Sequence, residues 1–307
     1  MTPTVSIVVS TFEWPEALDV VLRSISEEER QPLDVTVADD GSGPRTAEVV
    51  ERRRASFRAP LRHAWQPDEG WRKSRILDLA SREAGGDFLL FLDGDCVPRR
   101  GFLDATRRAA LPGWFLASKR LHLSVELSRR VLAGEVGPWR WSTARWLVGA
   151  PREVVSTPRE TGRVGVLVPV RVRRRPWRPG LPDFAPPYDG YGFYFGVHRE
   201  DFERVNGFDM RFTGWGGEDE DIAARLRRAG VRCGWPGTRA TMLHLWHEPK
   251  RGTMPSNDHL VRETVAGDHV AALAGLRELE AGEGDRVSGR DQESANGVGS
   301  STPRSSI

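Results

Sequence analysis

One short run does most to limit the fold of this chain. Asp87-Phe88-Leu89-Leu90-Phe91-Leu92 is apolar at every position after the first. It lacks the alternation that would let one face meet water, so it reads as a central strand covered on both sides. The residues before it follow a compatible scheme. Val5-Ser6-Ile7-Val8-Val9 is a β-branched run too short for a helix, and Pro15 opens a stretch in which Ala17, Val20, Val21, Ser24 and Ile25 share a helical period. A second strand over Leu33 to Ala38 ends in the turn formers Asp39-Asp40-Gly41-Ser42-Gly43-Pro44. An Arg- and Glu-rich helix then runs from Thr46 to about Ser56, and Trp71 to Glu83 predicts another, closed by Gly85-Gly86. The expected class is α/β: a Rossmann-like, mixed but mostly parallel sheet flanked by helices. Ligands of such sheets bind beyond the carboxyl ends of the strands. Two predicted strands here end in acids, at Asp39-Asp40 and at Asp93-Gly94-Asp95.

The 307 residues carry 45 Lys+Arg against 43 Asp+Glu, and 2 Cys far apart. That balance, with 8% aromatic residues, argues against a wholly disordered chain, and two Cys do not make a disulfide framework. No stretch approaches the roughly 18 consecutive apolar residues of a membrane span. Met1-Thr2-Pro3-Thr4 lacks the charged and apolar regions of a signal peptide. The expected setting is reducing and cytoplasmic. Charge is nevertheless uneven, because residues 119–181 hold 14 basic against 4 acidic residues, a balance of +10. From residue 282 the composition turns to Gly, Ser, Asp and Arg and predicts a disordered tail. Lys occurs only at 73, 119 and 250, a bias that genomic base composition explains as readily as function.

Three clusters could carry chemistry. Asp93-Gly94-Asp95 offers two carboxylates flanking a Gly at a strand end, suited to a hard divalent cation; the alternative is a tight Asp-Gly turn. His244-Leu245-Trp246-His247 could present two imidazoles to one ion, favouring Mn²⁺ or a similar borderline ion once a carboxylate joins them; the alternative is two His packed near Trp246. Gly214-Trp215-Gly216-Gly217-Glu218-Asp219-Glu220-Asp221 precedes a predicted helix from Glu218 to Ala229. Acids in a first turn complement the helix dipole and cap its N–H groups. A Gly-Trp wall can also stack on a sugar ring, and a clustered carboxylate has its pKa raised by its neighbours, which suits a general base.

Taken in order, Ser6-Ile7-Val8-Val9-Ser10-Thr11, Val37-Ala38-Asp39-Asp40-Gly41-Ser42 and Asp93-Gly94-Asp95 resemble the landmarks of family 2 glycosyltransferases with the GT-A fold. The Gly-Trp-Gly-Gly-Glu-Asp stretch and the His-Leu-Trp-His resemble the C-terminal half shared by β-1,4-galactosyltransferases and chondroitin-polymerase-like bacterial enzymes. The resemblance covers about residues 4–250 apart from the basic segment. It implies a nucleotide-sugar-binding half over 1–118, a basic Arg/Trp-rich insertion over 119–185, an acceptor and catalytic half over 186–281, and the tail over 282–307.

It also implies roles. Thr11 and Glu13 line the nucleotide base, Asp40 with Asp39 beside it accepts from the uracil N–H, and Arg72 and Arg75 reach the ribose or diphosphate. Asp93, next to Gly94, lies nearer the ribose and donor sugar. Asp95 ligates Mn²⁺ (or Mg²⁺), with His244 and His247 completing the shell. Glu218 holds the donor sugar, Trp215, Gly216 and Gly217 border donor or acceptor, and Asp219 is the base of an inverting transfer from a UDP-sugar to a saccharide or glycolipid acceptor in cell-surface glycan synthesis. Departures from the family pattern are Asp78, where relatives commonly place Asn, and the unassigned Tyr188-Asp189-Gly190-Tyr191-Gly192, ahead of a buried strand at Gly192, Phe193 and Gly196. Retaining polypeptide GalNAc-transferases share the Gly-Trp-Gly-Gly-Glu element, but their metal triplet ends in His, where this chain has Asp95.

The basic segment interleaves Trp139, Arg140, Trp141, Arg145 and Trp146 and then clusters Arg171, Arg173, Arg174 and Arg175. Acceptor contact, a structural insertion with Arg over core Trp, and peripheral contact with the inner face of the cell membrane all fit this texture. Nucleic acid is not an expected partner, since no recognised motif accompanies the charge. Two rivals to the enzyme reading stay open: a non-catalytic sugar-nucleotide or glycan-binding module, and a nucleotidyltransferase. The latter would carry a Gly-rich phosphate loop where this chain has Ser10-Thr11-Phe12-Glu13-Trp14.

Overall fold

The computed structural model describes residues 2–142, 145–146, 192–248, 257–280, 282 and 285–289. Its strands are β1 (Val5–Thr11), β2 (Asp34–Asp39), β3 (Leu61–Trp65), β4 (Phe88–Asp93), β5 (Cys96–Val97), β6 (Trp114–Ala117), β7 (Arg120–His122), β8 (Tyr194–His198), β9 (Arg232–Gly234), β10 (Met242–His244) and β11 (Arg286–Ser288). The helices are α1 (Pro15–Ser26), α2 (Pro44–Arg54), α3 (Lys73–Glu83), α4 (Phe102–Ala109), α5 (Val125–Leu132), α6 (Arg199–Arg204), α7 (Glu218–Arg228) and α8 (Asp258–Ala266). Pro at the first turn starts α1 and α2, where its missing N–H costs no helical bond.

The main sheet runs β11-β3-β2-β1-β4-β8-β6-β9, and a small sheet runs β5-β10-β7. Strands β3, β2, β1 and β4 are mutually parallel, as the strand and helix alternation predicts. Phe88 to Leu92 of β4 are all buried, between one apolar layer under α1 and another under α3 and α7. Beyond β4 the sheet turns antiparallel, since β8 pairs with both β4 and β6. Gly196 sits at this junction. A Cβ there would lie 2.6 Å from the Phe88 ring, so the close approach of the two strands requires Gly.

Two expectations from the sequence meet a different outcome. The first part of the supposed basic insertion is integral to the domain: β7 pairs with β10, and Leu121, Leu127, Val131, Trp139 and Trp146 join the apolar core. Trp139 donates its ring N–H to Glu27, and Arg140 lies over its ring and pairs with the same Glu27. In these residues the Arg–Trp pattern is a charged layer over core Trp. Arg171 and Arg173–175 lie outside the described residues. The supposed tail likewise begins as structure, because β11 pairs antiparallel with β3 and covers that edge of the sheet. No described helix is long and apolar enough to cross a membrane.

Candidate active site

The site begins where β1 and β4 run side by side. Ser10 and Asp93 are register partners, and the Ser10 hydroxyl donates to Asp93 Oδ1 at 3.1 Å. A Cβ on Gly94 would lie 2.6 Å from the Ser10 carbonyl, so the turn after β4 can hug β1 only with Gly at this position. Lys73, the first residue of α3, reaches across to this end of the sheet. Its Nζ lies 2.8 Å from Asp93 Oδ1 and 3.3 Å from Glu218 Oε1, at the start of α7. Burial works against the ammonium, but Asp93 and Glu218 outweigh it and raise the Lys73 pKa above its ordinary value. Burial pushes the Glu218 carboxyl up, partly countered by Lys73, and its Oε2 is buried without a hydrogen-bond partner. Next to it, half-buried Asp219 accepts from the Gly192 N–H through Oδ2 at 2.8 Å and from the Glu220 N–H through Oδ1 at 3.1 Å. Ser10, Lys73, Glu218 and Asp219 form the polar wall of a recess floored by Phe91 and Phe208.

The acidic octet therefore divides by direction. Glu218 and Asp219 face the recess. Asp221 instead forms a fully buried pair with Arg225 one turn on and accepts from the Thr264 hydroxyl, tying α7 to α8. Trp215 is 45% exposed just ahead of α7, a position from which an indole can stack on a sugar ring. Gly217 caps α7 in the left-handed region, and the Gly216 carbonyl accepts from Asn257.

A second cluster lies beyond the same strand. Asp95 Oδ2 is 3.3 Å from His247 Nε2 and 3.6 Å from His244 Nε2. His244 ends β10, and His247 follows in the loop with the edge of Trp14 against its ring. Burial lowers the His244 pKa to about 4, leaving a neutral imidazole with a lone pair to give. Its Nδ1 is buried without a hydrogen-bond partner. Burial works against the charge on Asp95, yet His247 and His244 hold the carboxyl well below the usual range. One carboxylate and two imidazoles converging in this way make a donor set suited to a borderline divalent cation.

The acids after β2 are placed differently from the expectation. Asp39 accepts from the Ser42 N–H and pairs with His63, while Asp40 accepts from the Arg72 N–H at 2.9 Å and from the Gln66 side chain. Glu13 has φ 48°, a sparsely populated conformation for a non-Gly residue, and its carboxylate accepts from the Gly43 N–H at 2.5 Å. Together with the Asp40 N–H to Thr11 carbonyl bond, these contacts lock the loops after β1 and β2 to each other. Arg72 turns to Glu69 and the Pro67 carbonyl, and Arg75 to Gln66, Asp285 and the Glu280 carbonyl, so neither guanidinium joins Lys73 on the recess wall. Asp78 is fully buried, accepts from the Phe208 N–H, and has its carboxyl pushed well up by burial. In the neutral form it still offers a carbonyl acceptor to that N–H, as an Asn at this position would.

Burial also raises the Asp40 pKa from 3.8 to about 6. Between these values the folded chain holds a proton that the unfolded chain has lost, so this group's contribution to stability falls as pH rises through the window and stays low above it. Asp40→Asn is expected to flatten that part of the profile and to gain stability relative to the parent at pH 7 compared with pH 4. Urea unfolding of both proteins at the two pH values measures the difference; parallel profiles would contradict it.

The sheet order, parallel through β3-β2-β1-β4 with β8 inserted antiparallel and helices flanking the sheet, is that of a GT-A glycosyltransferase fold. Residues 6–110 match the family model described as glycosyl transferase family 2, and residues 180–248 match the one described as the N-terminal domain of galactosyltransferase. It is 27% identical over 253 residues to validoxylamine A glucosyltransferase of Streptomyces hygroscopicus subsp. limoneus, covering 75% of this chain and 49% of that protein. It is 42% identical over 57 residues to human β-1,4-galactosyltransferase 2, 18% of this chain and 15% of that one. Among solved structures, the mannosyltransferase PcManGT from Pyrobaculum calidifontis in complex with GDP-Man and Mn²⁺ is similar in fold, with a TM-score of 0.51, 21% identity and coverage of 82% of this chain and 59% of that one. The chain thus spans about half the length of the Streptomyces relative.

Sequence reasoning missed Lys73, Ser10 and the Gly192 N–H. Lys73 had a signal: among 45 basic residues it is one of few Lys. A compact ammonium fits between two close carboxylates where a planar guanidinium would not.

Proposed function

We propose that this chain is an inverting, metal-dependent glycosyltransferase that moves a sugar from a UDP-sugar to a saccharide or glycolipid acceptor in cell-surface glycan synthesis. The observation that carries this reading is the pairing of two separate sets at one end of the sheet: a half-exposed carboxylate, Asp219, oriented by two backbone N–H groups, and a cation-suited set of Asp95, His244 and His247. Asp219 takes the proton of an acceptor hydroxyl as its oxygen attacks the anomeric carbon opposite the nucleotide, so configuration inverts. Glu218 and Asp93, held by Lys73, face the donor sugar and ribose. Trp215 borders the sugar-binding side. Thr11 and Glu13 border the nucleobase, and Asp39 and Asp40 act chiefly by fixing their loop, with Arg72 presented beside it. A cation bound at Asp95, His244 and His247 supplies Lewis-acid neutralisation of the diphosphate leaving group. The neutral state of the His244 ring, with Nε2 turned toward Asp95, fits such a donor set. The Mn²⁺ in the archaeal mannosyltransferase structure supports the same ion here.

The reading is tested by a thermal-shift screen of UDP- and GDP-sugars with and without Mn²⁺, because a ligand that binds the folded state raises the unfolding temperature. A UDP-sugar that stabilises only with Mn²⁺, and loses its effect in Asp95→Ala and His247→Ala, is the expected result. Stabilisation independent of metal would overturn the metal reading, and a preference for GDP-sugars would overturn the donor assignment.

A further inference from the structure

The small sheet carries a donor that the cation set above does not use. Cys96 in β5 and His244 in β10 are direct antiparallel register partners, which puts their side chains on one face of the ladder. The Cys96 thiol donates to Asp95 Oδ1 at 3.2 Å, on the oxygen opposite the one that faces the two His. One ligand atom from each of Asp95, Cys96 and His244 lies within 4.8 Å of the others. On the far side of His244, β7 places His122 in the same rung, with its ring 4.7 Å from the His244 ring, so the imidazole is backed on the side away from the sulfur.

We propose that Cys96 is a sulfur donor of this site, so that the chain takes thiophilic divalent ions such as Zn²⁺ or Co²⁺ through Asp95, Cys96 and His244, besides binding Mn²⁺ through oxygen and nitrogen alone. The proposal rests on reading Asp95 and His244 as cation ligands. Four-coordinate Zn²⁺ at the usual metal–sulfur and metal–nitrogen lengths spaces its donors by roughly 3.4–3.8 Å. The Asp95 oxygen and Cys96 sulfur already lie 3.2 Å apart, and the remaining separations, none above 4.8 Å, need to close by at most roughly 1.4 Å, which side-chain rotation supplies. Thiolate favours Zn²⁺ and Co²⁺ over Mn²⁺, so the sulfur sets ion choice and leaves the Mn²⁺ arrangement in place. The metal–sulfur bond replaces the S–H bond, the proton leaves to solvent, and no oxidation state changes. Cys96 is fully buried, so an ion reaches it past His247, whose side chain is 33% exposed.

Co²⁺ titration of the full chain tests this, because cobalt bands in the visible report binding and a near-ultraviolet sulfur-to-cobalt charge-transfer band reports the thiolate. Both sets are expected in the parent. In Cys96→Ser the charge-transfer band is lost while visible bands remain, and in Cys233→Ser both persist. Cys96→Ser should also weaken Zn²⁺ binding by at least about tenfold, the low end of what even outer-shell partners contribute, while leaving Mn²⁺ binding unchanged. Visible bands without charge transfer in the parent would overturn the sulfur ligand and leave the cation site standing. Loss of the band in Cys233→Ser, or equal weakening of Zn²⁺ and Mn²⁺ in Cys96→Ser, would overturn it too. No cobalt spectrum at all would remove both this proposal and the cation reading beneath it.

Discussion

Replacing Asp219 by Asn is expected to slow sugar transfer by about 10²–10⁴-fold, the usual contribution of a positioned general base, while leaving Mn²⁺-dependent nucleotide binding close to that of the parent. The amide oxygen can still accept the Gly192 N–H now held at 2.8 Å, so the loop before β8 keeps its anchor and the change falls on proton removal. The Asp95 cluster is a separate set of side chains and should not register the substitution. Transfer rates at saturating donor, set beside calorimetric binding of UDP in Mn²⁺, check this. Joint loss of turnover and binding would show that Asp219 is not a base distinct from the cation site. Unchanged turnover would remove it from the chemistry and revive the reading of a binding module.

The second large effect is expected on stability. In Lys73→Met the stem is preserved but the ammonium is lost, leaving Asp93 and Glu218 facing each other with Asp219 beside them. Removing one member of a buried pair typically costs 3–5 kcal/mol, and roughly 3 kcal/mol is expected here because Asp93 keeps some contact with water. The loss should shrink on acidification, since burial already holds the Glu218 carboxyl above its usual range, and without the ammonium to counter it, its protonation at lower pH relieves the repulsion. Lys73→Arg should recover little, because the guanidinium is too wide for the gap. Urea midpoints at pH 7 and pH 5 measure this. A Lys73→Met protein as stable as the parent at pH 7 would show that the pair is solvated in solution.

Much of this was written in local pattern. The apolar run Phe88–Leu92 could only be a covered strand, and the acids at its end had to emerge where parallel strands open to ligands. The His244 and His247 positions followed from resemblance, and their meeting at one oxygen of Asp95 bears on the same site. What escaped was whatever depended on a distant partner. Arg75 looked available for an anion until Asp285, in a stretch composed like a tail, claimed its guanidinium. The Trp139 environment is set by Glu27, more than a hundred residues earlier, and spacing between Trp and Arg could not reveal it. Lys73 sits in a basic stretch where its neighbours Arg72 and Arg75 carry the same sign, and only the fold shows which of the three turns inward. The antiparallel insertion of β8 rests on the missing side chain of Gly196 against Phe88, a contact that no periodicity encodes.

The position of β8 between β4 and β6 bears on how the domain is completed during synthesis. The parallel strands β1 to β4 and their helices are all made before residue 118, and they can begin to pack while the chain is still emerging. The sheet cannot close until the segment ending at residue 198 arrives and slips in between two strands already made. Glu218 reaches Lys73 later still, and β10 then brings His244 to Cys96. Both clusters of the site thus wait on residues made after most of the main sheet, and a chain stalled before residue 218 would have six of its eight strands with neither cluster complete.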